Sequence, residues 1–256
     1  MTHDDTRSPI PDAITTAAAA AKLLRPRDAS TLIIVDRTDG RIRVLMGKRR
    51  MEQVFMPGKY VFPGGRVDKT DRLVQSADEL SDIEASKLML AMKGTVSVSR
   101  ARALVLAAIR ETYEEAGLVI GAPVTGVPLK TQVAGWSSFF AHGFVPCIGP
   151  LSLFARAITP PGRPRRYDTR FFCMDAEAIV HRIDTNDGEL SGLHWLTLEE
   201  ARELDLPSIT RVVLEDLSDR LREGGGLHAP GAKIPFYHHR NGSFRRDMLA
   251  LPAADP

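Results

Sequence analysis

Apolar residues along the chain gather first in runs short enough for strands. Thr31-Leu-Ile-Ile-Val35 and Ile42-Arg-Val-Leu-Met46 flank Asp36-Arg-Thr-Asp-Gly40, whose Asp and Gly residues suit a tight turn, so the pattern predicts a hairpin. Tyr60-Val-Phe62 reads as another short strand, stopped by Pro63-Gly64-Gly65. Later β-rich runs cover 151–157, 170–174 and 193–196, with Pro160-Pro161-Gly162 forcing a loop after the first. Helices are predicted over 99–116, 197–204 and about 210–223. Thr197 and Glu200 have capping-box spacing, and Gly224-Gly-Gly226 ends the last helix. Strands interspersed with helices imply a layered α/β or α+β fold.

Three regions follow. Residues 1–28 read as a mobile leader with one short Ala-rich helix bracketed by Pro9, Pro11 and Pro26. Residues 29–223 form the folded domain, within which 72–98 is an insertion, helix-favouring over 77–92, expected to act as a separable lid or side wall. Residues 224–256 form a tail that is basic and aromatic from Lys233 to Leu249. Packing against the domain suits it best, with the substrate site or a homodimer partner as other surfaces it could cover.

Composition changes this picture little. The net charge of +2 gives no general attraction to nucleic acid or membranes, and no stretch approaches the roughly 20 apolar residues of a membrane span. Cys147 and Cys173 are too few for a disulfide framework and lack metal-ligand spacing, which favours free thiols and a cytoplasmic location.

The chemistry concentrates in Arg110-Glu-Thr-Tyr-Glu-Glu-Ala-Gly-Leu118. At about 100° per residue from Leu104, Glu111, Glu114 and Glu115 fall near 340°, 280° and 20°, a single arc about 100° wide. Ile109, Thr112, Tyr113 and Ala116 take the opposite, core-facing arc. Like charges at these spacings cost an isolated helix roughly 0.2–0.5 kcal/mol per pair, so compensation is expected. An ordinary solvated acidic face would account for an arbitrary Glu-x-x-Glu-Glu, but a hard divalent cation, Mg²⁺ or Mn²⁺, would supply the compensation here. Upstream, Val61-Phe-Pro-Gly-Gly-Arg-Val-Asp68 allows a sharp backbone path and close approach of a helix, and Gly117 stands where a helix C-cap belongs.

These residues resemble the signature of the Nudix hydrolases, G-x5-E-x7-R-E-U-x-E-E-x-G-U, where U is aliphatic. Gly65 matches the first glycine, while Arg110, Glu111, Glu114, Glu115, Gly117 and Leu118 match the second half; Gly64 belongs to the typical lead-in. Asp71 replaces the first glutamate, Thr112 replaces an aliphatic residue, and residues 72–109 give 38 positions where the signature has 7. The resemblance implies an α/β/α sandwich with a mixed sheet, and Mg²⁺ or Mn²⁺ held by Glu111, Glu114 and Glu115. It also implies Glu114 or Glu115 as general base and an Asp71–Arg110 ion pair in place of a metal contact from Asp71. The long insertion resembles that of a subgroup including peroxisomal coenzyme A diphosphatases. The activity so implied is metal-dependent cleavage of a diphosphate linkage in a nucleoside diphosphate conjugate, such as coenzyme A or its esters. ADP-ribose or dinucleotide hydrolysis and a non-catalytic nucleotide sensor are the alternatives.

Further candidates are weaker. Arg49 and Arg50 follow the second strand where a substrate phosphate could sit, with a solvated strand end as the ordinary reading. Arg166 and Arg170 could clamp phosphate, although Asp168 offers either a simple ion-pair partner. Glu189, with Asp187 as its rival, is a candidate downstream base. The expected partner is a nucleotide-like small molecule, with neither membrane nor nucleic acid.

Overall fold

The computed structural model describes residues 24–52, 56–125, 131, 133, 135–183, 190–224, 226–229 and 231–252. The predicted hairpin forms as β1 (Arg27–Asp36) and β2 (Arg43–Arg49), antiparallel with Val35 opposite Val44. Two short strands, β3 (Tyr60–Val61) and β4 (Gly64–Arg66), follow and pair with β2 and β1 respectively. Next come α1 (Asp82–Met89) and the long helix α2 (Val98–Ala116). The chain continues through β5 (Leu118–Val119), β6 (Gly121–Pro123), α3 (Ser137–Ala141) and β7 (Phe144–Pro146). Strands β8 (Ser152–Ile158), β9 (Tyr167–Asp175), β10 (His181–Arg182) and β11 (Leu190–Thr197) lead to α4 (Leu198–Arg202) and α5 (Ser208–Arg222). A hairpin of β12 (Ile234–Arg240) and β13 (Ser243–Leu249) completes the described chain.

Among the described residues nine strands form one mixed sheet in the order β11-β2-β1-β9-β8-β12-β13, with β3 on β2 and β4 on β1. The β1–β9 and β8–β12 pairs are parallel; the others are antiparallel. Alternation along β1 and β9 splits the core between the two faces of this sheet. Leu32, Ile34, Phe172 and Met174 pack under α2, while Ile33, Val35, Phe171 and Cys173 pack under α5 with Val213, Leu214 and Leu217. Each fully buried Leu or Ile contributes on the order of 1.5–3 kcal/mol. The result is the expected α/β/α sandwich.

Helix α2 starts and stops where its sequence dictates. The Ser97 side chain accepts from Arg100 N, and Gly117 ends the helix at φ 66°, where its N–H reaches Tyr113 O. Ser30 in β1 donates to Leu104 O at 2.6 Å and fixes the helix to the sheet.

Three expectations need correction. The insertion does not stand apart as a lid: Val74, Leu88 and Met92 belong to the core beneath α2. Its helix covers only Asp82–Met89, because Asp78 turns away to accept Ile148 and Gly149 N–H, leaving Ser81 to cap α1. The segment after Lys233 is two strands of the main sheet rather than a packed tail, turned by Asn241 and Gly242 at φ 52° and 78°. The first strand begins at Arg27, inside the expected leader, and residues 1–23 lie outside the described residues.

Candidate active site

The site is built where β4 crosses the C-terminal half of α2. Strand β4 lies against β1, with Gly65 opposite Ser30 and Gly64 opposite Thr31. A Cβ on Gly64 would overlap the β1 backbone at Ser30, and one on Gly65 would overlap the Glu111 carboxylate. The two glycines therefore let a strand and a helix close to backbone distance. Gly64 N–H donates to Glu115 Oε2 at 2.8 Å, and Glu115 is buried.

Arg110 organises the remaining acids. Its Nε and Nη2 reach the two oxygens of Asp71 at 3.0 and 3.2 Å, a bidentate pair, and Nη2 also reaches Arg66 O at 2.9 Å. Nη1 donates to Glu111 Oε1 at 2.9 Å and Glu114 Oε2 at 3.0 Å. Burial works against the guanidinium charge, but Asp71, Glu111 and Glu114 outweigh it and raise its pKa above the ordinary value. The ion pair expected between Asp71 and Arg110 thus forms, and Asp71 is fully buried behind the arginine. Its other contacts are Asp68 N–H at 2.8 Å and the Trp136 indole N–H at 2.9 Å. A carboxylate so fully occupied behaves as a structural anchor for Arg110.

The three glutamates differ in environment. Glu114 is the most open, with its side chain 38% exposed, whereas Glu111 is 15% exposed. Burial raises the Glu114 carboxyl above its ordinary pKa despite the opposing charge and hydrogen bond of Arg110. The arc therefore does not face solvent as a whole, since β4 covers Glu115. As donors the three are oxygen-only, which suits a hard cation such as Mg²⁺ or Mn²⁺. In the described conformation their carboxylates are turned onto Arg110 and Gly64. Among the described residues no three His, Cys, Asp or Glu converge on a single metal position.

Other candidates are dispersed. Arg49 sits half-buried at the end of β2, beside the entry of β3, and Arg50 is exposed just beyond it. Arg170 is 1% exposed under α2, paired with Asp168 at 2.9 Å and Asp28 at 3.4 Å. It adjoins Ser30, whose partner Leu104 precedes Glu111 by about 10 Å of helix. Arg166 donates to Thr159 O and Leu24 O. The structure does not bring Arg166 or Arg170 to the glutamates: a strand register two residues from buried Asp168 committed Arg170 to the core. Glu189 and Asp187 lie outside the described residues. Sequence reading missed Trp136 and Gly135, where a Cβ would come within 2.8 Å of Arg110 Cδ. Their contact with the signature spans 65 positions from Asp71 to Trp136, and no local pattern announces it.

A mixed-sheet sandwich whose signature helix is clamped by Gly64, Gly65 and an arginine-centred acid cluster defines the Nudix class. The chain belongs to the Nudix hydrolase family. It is 31% identical over 186 residues to nudix hydrolase 7 of Caenorhabditis elegans, an alignment covering 68% of this chain and 52% of that protein. To the acyl-coenzyme A diphosphatase NUDT19 of Xenopus laevis it is 25% identical over 214 residues, covering 62% and 54%. The chain thus spans about half the length of the curated relatives it matches. A NUDIX hydrolase of Alicyclobacillus acidocaldarius superposes with a TM-score of 0.54 at 25% identity, over 75% of this chain and 91% of the other. No family model matches the chain. Among the described residues no helix is long and apolar enough to cross a membrane.

Proposed function

We propose that this chain hydrolyses the diphosphate linkage of a nucleoside diphosphate conjugate with the help of Mg²⁺ or Mn²⁺, and that coenzyme A or an acyl-coenzyme A is its preferred substrate. The observation that carries the reading is the Arg110 fork, which holds Asp71, Glu111 and Glu114 together beside Gly64 and Gly65. Glu111, Glu114 and Glu115 would hold the metal, which when bound neutralises phosphoryl charge and lowers the pKa of a water. Glu111 and Glu114 each give one oxygen to Arg110 Nη1 in the resting site, so the arginine holds the two carboxylates close despite their repulsion. Glu114, the most open of the three and the one whose pKa is raised, is the first choice for accepting the water proton. Arg49 and Arg50 would meet substrate phosphates at the mouth of β2.

The coenzyme A preference rests on the long insertion after Asp71 and on likeness to a protein named as an acyl-coenzyme A diphosphatase. ADP-ribose is the second choice. The test is kcat/KM for coenzyme A, an acyl-coenzyme A, ADP-ribose, NADH and dGTP at one magnesium concentration, with products identified by mass. Metal-dependent release of two phosphorus-containing products from coenzyme A is expected. A tenfold or greater lead for dGTP overturns the conjugate reading, and binding without turnover of any compound would make the chain a nucleotide sensor.

A further inference from the structure

Among the described residues nothing pairs with the outer edge of β13. Six of its seven residues are exposed, on both faces of the sheet, and only Leu249 is half-buried. Phe244 and Met248 are 54% and 43% exposed. Its register with β12 runs from Ser243 to Leu249 without a bulge, and the strand contains no proline or lysine. Such an edge presents unpaired N–H and C=O groups as a template for another strand.

The side chains say which strand fits. Phe244, Arg246 and Met248 lie on the α5 side, where Phe244 stacks on Tyr237 and Arg246 bonds Asp216 at 2.8 Å. Ser243, Arg245, Asp247 and Leu249 lie on the other side, where Asp247 meets His238 at 2.6 Å. Arg245 makes no ion pair or side-chain hydrogen bond among the described residues.

We propose that β13 pairs antiparallel with β13 of a second copy of this chain, about a two-fold axis through Arg246, so that two sheets join into one. A two-fold axis normal to a sheet keeps each residue on its own face, so the register must centre on a residue rather than between two. Centring on Arg246 is the only choice that pairs all seven residues, because Arg246 is the midpoint of the strand. It sets Arg245 opposite Asp247 of the second copy, twice, and Phe244 opposite Met248 of the second copy, twice. Opposed charges and apolar pairs across strands both stabilise a ladder. Centring on Arg245 or Asp247 instead sets one of those charges against its own copy. At Arg246 the like charges are already compensated, since each is held by Asp216 of its own chain. The junction is small, so the dimer dissociates on dilution.

The experiment is size-exclusion chromatography with light scattering on the full chain across a concentration series. The wild-type chain is expected to move from monomer to dimer as concentration rises. Arg245→Asp, which removes no ion pair or side-chain hydrogen bond among the described residues, and Asp247→Arg each give monomer, and the double variant R245D/D247R restores the dimer. Phe244→Cys combined with Met248→Cys should give a covalent dimer on a non-reducing gel. A wild-type chain that stays monomeric overturns the proposal, as does a dimer indifferent to both charge reversals. A dimer that the reversals weaken but the cysteine pair does not capture overturns the register.

Discussion

The Trp136 indole and the Arg110 guanidinium donate to the same buried oxygen, Asp71 Oδ1, at 2.9 and 3.0 Å. Trp136→Phe keeps an aromatic ring in the same apolar surroundings and removes one donor to a charged acceptor, a bond of about 1.5–3 kcal/mol. If Trp136 positions Arg110 through Asp71, kcat falls about tenfold, equivalent to 1.4 kcal/mol, with KM nearly unchanged. A lower melting temperature with kcat intact would reduce Trp136 to a packing residue.

Gly64→Ala and Gly65→Ala should separate folding from activity. At Gly64 the new methyl meets fixed β1 backbone, so thermal unfolding is expected to shift down strongly. At Gly65 it meets the Glu111 carboxylate, which can turn aside, so the protein folds and loses metal-dependent turnover instead. Equal stability losses in both variants would contradict this division.

Glu114→Gln and Glu115→Gln are each expected to lower kcat more than about 100-fold, because each removes a charge from the proposed metal site with little change of shape. In the Glu115→Gln variant the side-chain amide would still offer an oxygen to Gly64 N–H, so circular dichroism and melting temperature should stay close to wild type. Either variant retaining full activity removes that residue from the proposed machinery.

Acid stability should report on Asp168. Burial alone would raise this carboxyl, but the hydrogen bond from Arg156 and the charges of Arg170 and Arg156 hold it below its ordinary value of 3.8. Its unfolded form therefore takes up a proton more readily than its folded form. The stabilisation is complete above the ordinary carboxylate range and is lost as pH falls through the lower, folded value. Asp168→Asn leaves two nearly buried arginines without this charge, so a loss of about 3–5 kcal/mol near neutral pH is expected. Urea unfolding between pH 3 and 7 should show the variant's loss shrinking on the acid side, in about the range where carboxylates titrate. A loss independent of pH would assign it to packing alone.

Replacing residues 72–98 by a seven-residue connector is expected to abolish cooperative folding rather than to retune specificity. It would remove Val74, Leu88 and Met92 from the core, and with them Leu90 O and Ala91 O, which accept from buried Arg156. A folded replacement with altered KM would restore the view of the insertion as a lid.

Much of this architecture is legible in the chain. The 31–35 and 42–46 runs, the capping-box spacing of Thr197 and Glu200, and the 99–116 helix are local patterns that emerged with shifts of a few residues. The β12–β13 hairpin was legible too, in Asn241-Gly242 between alternating runs, but its basic and aromatic composition suggested a tail. The insertion misled because helix-favouring composition over 77–92 does not reveal that Asp78 and Glu84 are drawn off to cap β8 and the loop before it.

What the sequence by itself determined is the acidic arc: helical geometry puts Glu111, Glu114 and Glu115 within one sector whatever surrounds them. The tertiary structure alone decided which of those acids is open. Strand β4 crosses close enough for Gly64 N–H to bind and bury Glu115, while Glu114 stays partly exposed. It also decided the fate of the arginines, sending Arg170 into a buried ion network and leaving Arg49 at a strand mouth. Helical spacing is a short-range property fixed by backbone geometry. Burial and charge pairing depend on contacts such as Asp71 to Trp136, made between residues far apart in the chain and formed only when the sheet and its helices pack.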